Sequence, residues 1–159
     1  MKEMLTDHVS MKEATFSATA ERTMIANTPT RAEEKKMILV AERVFEPLRE
    51  HFGVPIGITS FFRSKELNAY LHGSDSSQHV KGEAMDIDAD VYGGLTNKEI
   101  FIYIWKNLDF DQLIWEFGTK DEPAWIHVSF KKEGNRKQIL RATKVKQEGG
   151  YVAKYMTYG

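Results

Sequence analysis

The sequence predicts an α+β fold, in which a small antiparallel sheet is flanked by helices. Helical stripes of apolar residues follow capping boxes near positions 30 and 96, and short strand-like runs occur at 54–60, 85–89, 112–116 and 125–130. Helical and strand-like segments alternate along the chain, and the last two strands form a hairpin. This order favours α+β over a purely helical or purely β architecture. A chain of 159 residues is typical of one domain that buries its own core.

The first helix is predicted after the turn at 27–29. Thr30 and Glu33 form a capping box, in which each side chain satisfies a free backbone donor of the other residue. A single buried stripe follows at spacings of four, three and four: Met37, Ala41, Val44 and Leu48. Pro47 lies inside this pattern, so we expect it to kink or divide the helix near residues 45–46.

The remaining elements alternate between short strands and helices. Ser64 is expected to cap a short helix over 65–71, and Thr96 with Glu99 forms a second capping box that opens a longer helix. The strands at 112–116 and 125–130 are separated by eight residues that contain Gly118 and Pro123, which predicts a hairpin with a long loop.

Composition excludes several classes of function. The net charge of −1 gives no overall field for nucleic acid, and no run approaches the roughly 18 apolar residues needed for membrane insertion. The absence of cysteine excludes disulfides, thiolate metal sites and cysteine nucleophiles. The N-terminus has no basic region followed by an apolar one, so we expect a protein made in the cytoplasm without a signal peptide.

The charge is distributed unevenly. Residues 131–159 contain eight Lys or Arg against two acidic residues, whereas the rest of the chain is acidic. A solvated, loosely ordered tail is one interpretation, and contact with a polyanion such as the cell wall is the other.

The candidate metal ligands are His79, Asp86 and His127. His79 precedes Asp86 by seven positions with Gly82 between them, and Asp86 alternates with apolar residues on a predicted strand. His127 lies in another alternating run, on the same face as Trp125. Two imidazoles and a carboxylate with one open position suit a catalytic zinc ion. Spacing alone leaves a metal site and ordinary structural histidines as equal alternatives.

The motif formed by these residues is recognisable. Ser77-x-His79-x-x-Gly82-x-Ala84-x-Asp86, followed by Trp125-x-His127, resembles the zinc D-alanyl-D-alanine carboxypeptidase family. That family shares its fold with the zinc domain of hedgehog proteins and includes phage endolysins. Further similar segments look like a branch common in phage and prophage genomes: 16–20, 27–29, 46–49, 60–64 and 111–114. The resemblance divides the chain into an N-terminal arm (1–15), a zinc peptidase domain (16–137) and a basic C-terminal tail (138–159).

The resemblance implies roles for the matching residues. His79, Asp86 and His127 would bind one zinc ion. Arg63 would lie in the cleft and hold a substrate carboxylate or carbonyl oxygen, although an arginine there also suits a surface ion pair.

Three further residues are candidates for substrate binding. Ser77 and Gln78 would line the same cleft, with a turn cap as the alternative role for Ser77. Trp125 is the best aromatic candidate, because it shares a face with His127.

The general base lies at a position where this sequence departs from the better-known family members. Zinc lowers the pKa of a water molecule to roughly 7, and a nearby carboxylate accepts its proton. Better-known family members carry Glu or Asp three residues before the last histidine, but this sequence has Ala124 there. The remaining candidates are Glu116, at the end of a hairpin strand, and Glu122, in the loop, with Asp121 beside it. We favour Glu116 because a strand end holds a carboxylate more firmly than a loop.

The resulting hypothesis is a zinc peptidase that cleaves the stem peptide of peptidoglycan. D,D-carboxypeptidase or endopeptidase activity and L-Ala-D-Glu cleavage all remain open, because one fold hosts several specificities. The branch suggests a monomeric phage or prophage lysis enzyme that reaches the wall by holin release or virion delivery. The alternative is a zinc-stabilised wall-binding or virion structural module without turnover, and Ala124 is the residue that favours it.

Overall fold

The computed structural model describes residues 3–158. Its helices are α1 (Met11–Thr15), α2 (Ala18–Thr23), α3 (Arg31–Val40), α4 (Glu46–Phe52), α5 (Lys65–Tyr70) and α6 (Asn97–Asn107). Its strands are β1 (Met4–Thr6), β2 (Val9–Ser10), β3 (Gly57–Ser60), β4 (Ala84–Asp88), β5 (Gln112–Glu116), β6 (Trp125–Ser129), β7 (Gln138–Gln147) and β8 (Gly150–Thr157). Within these residues, no helix combines the length and apolar character needed to cross a membrane.

The main sheet has six strands in the order β3-β4-β6-β5-β7-β8, and β1 and β2 form a separate pair. Neighbouring strands are antiparallel except β5 and β7, which are parallel. The parallel pair arises because β6 ends beside the start of β5, and residues 130–137 then cross to the other side of β5. The predicted α+β class is confirmed, and the sheet is larger than the sequence indicated.

One face of the sheet packs against the helices and forms the core. The strands contribute alternate apolar residues to this face: Met85, Ile87, Leu113, Trp115, Ile126 and Val128. The helices contribute residues of both predicted stripes, among them Met37, Val44, Leu48, Ile100, Phe101 and Ile104. Because side chains of a strand alternate between faces, the polar residues between these positions point to the opposite face.

The predicted helix boundaries are largely confirmed. Both capping boxes form, at Thr30 with Glu33 and at Thr96 with Glu99. The helix that contains Pro47 is interrupted by a π-helical turn, Ala41–Phe45, before α4 begins. Proline lacks a backbone donor, so it is accommodated at the start of α4 rather than inside a continuous helix.

The N-terminal residues differ from the predicted arm. Residues 4–15 form β1, β2 and α1, and four side chains of this segment are buried: Leu5, Val9, Met11 and Ala14. The segment is tied down by a hydrogen bond from Phe62 N to Ala14 O and by the His8 imidazole, 2.6 Å from the Glu46 carboxylate. The few apolar residues of this segment belong to the core. A segment so short shows no periodic apolar pattern from which their burial could be predicted.

The C-terminal residues also differ from a loosely ordered tail. β7 and β8 form a hairpin on the edge of the sheet, joined through Glu148 and Gly149. A Gly149-Gly150 pair between two runs with scattered apolar residues is a hairpin signal, which the interpretation from charge alone did not take into account.

Candidate active site

The predicted metal ligands come together on the open face of the sheet. β4 and β6 pair Asp86 directly with His127, and the loop before β4 brings His79 over them. Asp86 Oδ1 lies 3.3 Å from His79 Nε2 and 3.2 Å from His127 Nδ1. The three residues each offer a ligand atom, and these atoms all lie within 4.8 Å of one another.

The loop that carries His79 depends on Gly82. Gly82 has φ of +74°, and a Cβ there would lie 2.8 Å from the backbone oxygen of Glu33. Only glycine combines this backbone conformation with so close an approach to α3. The loop is closed by a hydrogen bond from Gly82 N to His79 O, 3.2 Å long.

The ring of His79 is oriented by the backbone. His79 Nδ1 lies 2.8 Å from the carbonyl oxygen of Phe61, an acceptor, so Nδ1 carries the hydrogen and donates it. The lone pair is then on Nε2, which faces Asp86. Metal-ligating histidines are oriented in this way by hydrogen bonds to their second nitrogen.

The cluster fits a divalent cation such as zinc. His127 presents Nδ1 to Asp86 Oδ1, as His79 presents Nε2, so one nitrogen of each imidazole lies beside the same carboxylate oxygen. Burial alone would raise the pKa of Asp86, but the two neighbouring imidazoles hold it well below its usual range, so the carboxylate is ionised. Two imidazoles and an ionised carboxylate are a ligand set that zinc accepts.

Glu116 faces the same side of the sheet as the cluster. β5 and β6 pair Ile114 with His127 and Glu116 with Trp125, so Glu116 is two residues along its strand from the position beside His127. The residue is 6% exposed. Burial raises the pKa of Glu116 to about 7; the nearby His127 lowers it and the Asp86 charge raises it further. A carboxyl with this pKa can accept and release a proton near neutral pH.

Glu122, the second candidate base, is not among the residues that line the cleft with Glu116 and the cluster. Its Oε1 accepts a hydrogen bond from Lys98 N, 3.1 Å away, at the start of α6. The free backbone donors and the partial positive charge of a helix N-terminus attract a carboxylate. Glu122 therefore binds the start of α6 and does not face the metal cluster.

The candidate substrate residues line one cleft of about 680 Å³ beside the cluster. Arg63, Ser77, Gln78 and Trp125 all contribute to its walls, together with Glu116. Arg63 donates from Nη1 to Asn68 Oδ1, 3.0 Å away, rather than pairing with a surface acid. Burial lowers the pKa of Arg63 and the charge of Asp86 opposes this effect.

The other wall residues are held by their neighbours. Gln78 Nε2 donates to Asp111 Oδ2 over 3.1 Å, which fixes the loop before His79. Trp125 packs against Phe117, with ring centroids 5.3 Å apart. The backbone oxygen of Ser77 accepts from Val80 N, 3.2 Å away, in the turn that leads into this loop.

The sequence analysis missed a charged cluster at one end of the cleft. Asp111 has a fully buried side chain, 2.8 Å from Arg136 Nη2 and 3.6 Å from Lys131 Nζ. Burial alone would raise the pKa of Asp111, but hydrogen bonds from Arg136 lower it to about 2. Asp111 therefore joins the 131–137 segment to the start of β5 and to Gln78.

Two further cleft residues, Leu140 and Tyr155, come from the β7–β8 hairpin. They were missed because 138–159 was assigned to a tail, so no side chain of that segment was considered for the site. The hairpin signal at Gly149-Gly150 would have indicated that these residues join the sheet.

Comparison with known families identifies a match that covers most of the chain. The family model described as Peptidase M15 matches residues 7–129, which is most of the chain and includes His79, Asp86, Glu116 and His127. No curated protein matches the sequence.

Proposed function

The chain belongs to the Peptidase M15 family and is a zinc metallopeptidase that acts on peptidoglycan, and from this we propose that His79, Asp86 and His127 hold its zinc ion. The support is the donor set itself, with ligand atoms within 4.8 Å of one another and a nitrogen of each imidazole beside Asp86 Oδ1. When bound there, zinc polarises a carbonyl group and lowers the pKa of a water molecule.

Glu116 is proposed as the general base. Its carboxylate takes a proton from the attacking water and then gives it to the nitrogen of the leaving amine, so the carboxylate is regenerated in each cycle. The observation that carries this proposal is the position of Glu116 on the same sheet face as the cluster, buried to 6% exposure. Ala124 therefore does not leave the cleft without a carboxylate, and no observation favours a module without turnover.

Arg63 is proposed to orient the substrate. The Arg63 guanidinium lies in the cleft, close enough to Asp86 for the carboxylate charge to raise its pKa against the effect of burial. The hydrogen bond to Asn68 uses only one of the five guanidinium donors. The remaining donors suit a peptide carbonyl or carboxylate oxygen. Ser77, Gln78 and Trp125 would complete the walls, with the indole covering the peptide and excluding water.

The bond that is cut belongs to the stem peptide or its cross-link. A D,D-carboxypeptidase or endopeptidase reaction and L-Ala-D-Glu cleavage both fit a cleft of about 680 Å³ that is lined by polar, charged and apolar side chains. For the biological setting, we propose a monomeric phage or prophage lysis enzyme that reaches the wall by holin release or virion delivery, on the basis of the motif resemblance alone.

The test is digestion of purified peptidoglycan by the zinc-loaded protein, with mass spectrometry of the released muropeptides. A chelated aliquot and the Glu116→Gln variant serve as controls. We expect products that the wild type releases and that both controls lack, and the mass of those products names the bond. Failure to release any product from several wall types would contradict the proposed function.

A further inference from the structure

The hairpin beyond the family-matched residues contributes an aromatic side chain to the cleft. The match ends at residue 129, whereas β7 and β8 cover residues 138–157. Strand pairing places Glu116 opposite Ala142, and Ala142 opposite Tyr155. Directly opposed residues of neighbouring strands point to the same face, so Tyr155 faces the side of the sheet that carries Glu116 and the metal cluster.

Ala142 makes it possible for Tyr155 to reach that site. The methyl group of Ala142 is the only side chain between Glu116 and Tyr155 in this row of the sheet. A larger residue would separate them, but a phenol ring can extend over a methyl group toward the next strand. Tyr155 accordingly lines the same cleft as Glu116 and His127. Burial raises the pKa of Tyr155, and the charges of Glu116 and Asp86 raise it further, which agrees with this proximity.

The surroundings of Tyr155 leave its ring and hydroxyl available to a ligand. The residue is 52% exposed, which leaves much of its side chain open to solvent. Tyr158 differs, because its ring packs against Phe101, Trp105 and Trp115 in the core. An aromatic side chain with a polar end at the edge of a cleft is typical of a binding contact.

We propose that Tyr155 is a substrate-contacting residue, whose hydroxyl donates a hydrogen bond to a carbonyl or carboxylate oxygen of the stem peptide and whose ring packs on its alanine methyl groups. This inference rests on the proposed function for the identity of the peptide. Leu140 lies opposite Ile114, in the row of the sheet that contains His127. It adds an apolar side chain to the cleft beside Tyr155. The hairpin thus forms the wall that determines which peptide segment lies beyond Glu116.

Tyr151 provides a matched control. It lies on β8 four residues before Tyr155, and therefore on the same face, but it pairs with Lys146 at the far end of the hairpin. It is 67% exposed and is not part of the cleft. A loss of binding caused only by disturbing the edge strand would follow from substitution at either tyrosine.

The experiment measures binding of the stem pentapeptide L-Ala-γ-D-Glu-L-Lys-D-Ala-D-Ala by titration calorimetry. The parent protein is zinc-loaded Glu116→Gln, and Tyr155→Phe, Tyr155→Ala and Tyr151→Ala are each added to it. We expect Kd to rise about fivefold to tenfold with Tyr155→Phe, as for one lost hydrogen bond, and more with Tyr155→Ala. Tyr151→Ala should leave Kd unchanged, and zinc content and melting temperature should be equal in all variants.

Kinetics on peptidoglycan with Glu116 intact give a second readout. Here kcat/KM should fall by the same factor in Tyr155→Phe and remain unchanged in Tyr151→Ala. Equal binding and equal kcat/KM in the Tyr155 and Tyr151 variants would overturn the inference, as would a parent protein that binds no peptide. Binding that depends on Tyr155 without any cleavage by the wild type would refute the proposed function alone. Cleavage that is indifferent to Tyr155 would refute this inference alone.

Discussion

Glu116 and His127 lie on neighbouring antiparallel strands and on the same face of the sheet, one pleat apart. The pairing of Ile114 with His127 and of Glu116 with Trp125 fixes this relationship through backbone hydrogen bonds. A carboxylate held by a strand cannot withdraw into solvent, so its burial persists and raises its pKa to about 7. The sheet thus sets both the position of the proposed base and its readiness to exchange a proton.

The buried Glu116 carboxyl should make the metal-free protein less stable as pH rises. Its pKa is raised from 4.5 to about 7, so its contribution to stability is complete below the unfolded value and is lost as pH rises through the folded value. Glu116→Gln is uncharged throughout, and should match the wild type near pH 4 and exceed its unfolding free energy by on the order of 3 kcal/mol at pH 8. Urea unfolding of both proteins across this range measures the difference. A constant difference between them would contradict the raised pKa.

Removal of a proposed ligand should abolish zinc binding. We expect His127→Ala to weaken zinc affinity by more than about 100-fold. Loss of a residue that only hydrogen-bonds to a metal ligand costs up to about 100-fold, and loss of a ligand itself should cost more. Zinc should then no longer raise the melting temperature, because stabilisation by a ligand follows its affinity. His72→Asn is the control, since His72 lies outside the cluster and asparagine tolerates its positive φ of 57°. Stoichiometric zinc of unchanged affinity in His127→Ala would refute the ligand assignment.

Gly82 should be far less replaceable than Gly93, although both have φ of +74°. A Cβ at Gly82 would lie 2.8 Å from Glu33 O and 2.9 Å from Met37 Cγ, whereas a Cβ at Gly93 would meet nothing within 4 Å. We expect Gly93→Ala to cost about 1 kcal/mol of unfolding free energy from backbone strain, and Gly82→Ala about 3 kcal/mol through added overpacking. Denaturant unfolding compares them, and similar losses would show that the contact with α3 is unimportant.

Asp111 should stabilise the protein through its charge. Asp111→Asn keeps the shape but weakens the bonds to Arg136 and Gln78, and we expect a loss of about 2 kcal/mol at pH 7. The pKa of Asp111 is lowered from 3.8 to about 2, so its contribution is present above the unfolded value and is lost as pH falls toward 2. The variant and the wild type should therefore converge in acid. Asp109→Asn, at a half-exposed side chain, should change stability by less than about 0.5 kcal/mol.

Those parts of the site that lie on regular elements were predictable. Alternation around Asp86 and His127 indicated which face each side chain occupies, and both pairs of capping residues marked true helix starts. The pairing of β4 with β6 was not visible in the sequence, because strand partners depend on the path of the whole chain. The approach of His79 to Asp86 was inferred from the family motif rather than from any local rule.

The structure departs from the sequence-based expectations where a local signal competes with the packing of the whole molecule. The basic charge of 131–159 favoured a solvated tail, but Leu140, Ala142 and Tyr155 join the sheet, and Leu140 and Tyr155 line the cleft. Glu122 was a candidate base because it lies close to His127 in the sequence. In the structure its carboxylate accepts a hydrogen bond from Lys98 N at the start of α6. The pairing of β7 with β5 and the contact of Glu122 with α6 both depend on segments that are distant in the sequence. Local sequence patterns therefore could not predict them.

The most direct test of the account compares Glu116→Gln with Glu122→Gln in the zinc-loaded protein. Measured on the muropeptide that the wild type cleaves, kcat should fall by about 10²-fold to 10⁴-fold in Glu116→Gln, with zinc content unchanged. Glu122→Gln should retain the kcat of the wild type, because its side chain lies at the start of α6. Full activity in Glu116→Gln, or a comparable loss in Glu122→Gln, would contradict the assignment of Glu116 as the base.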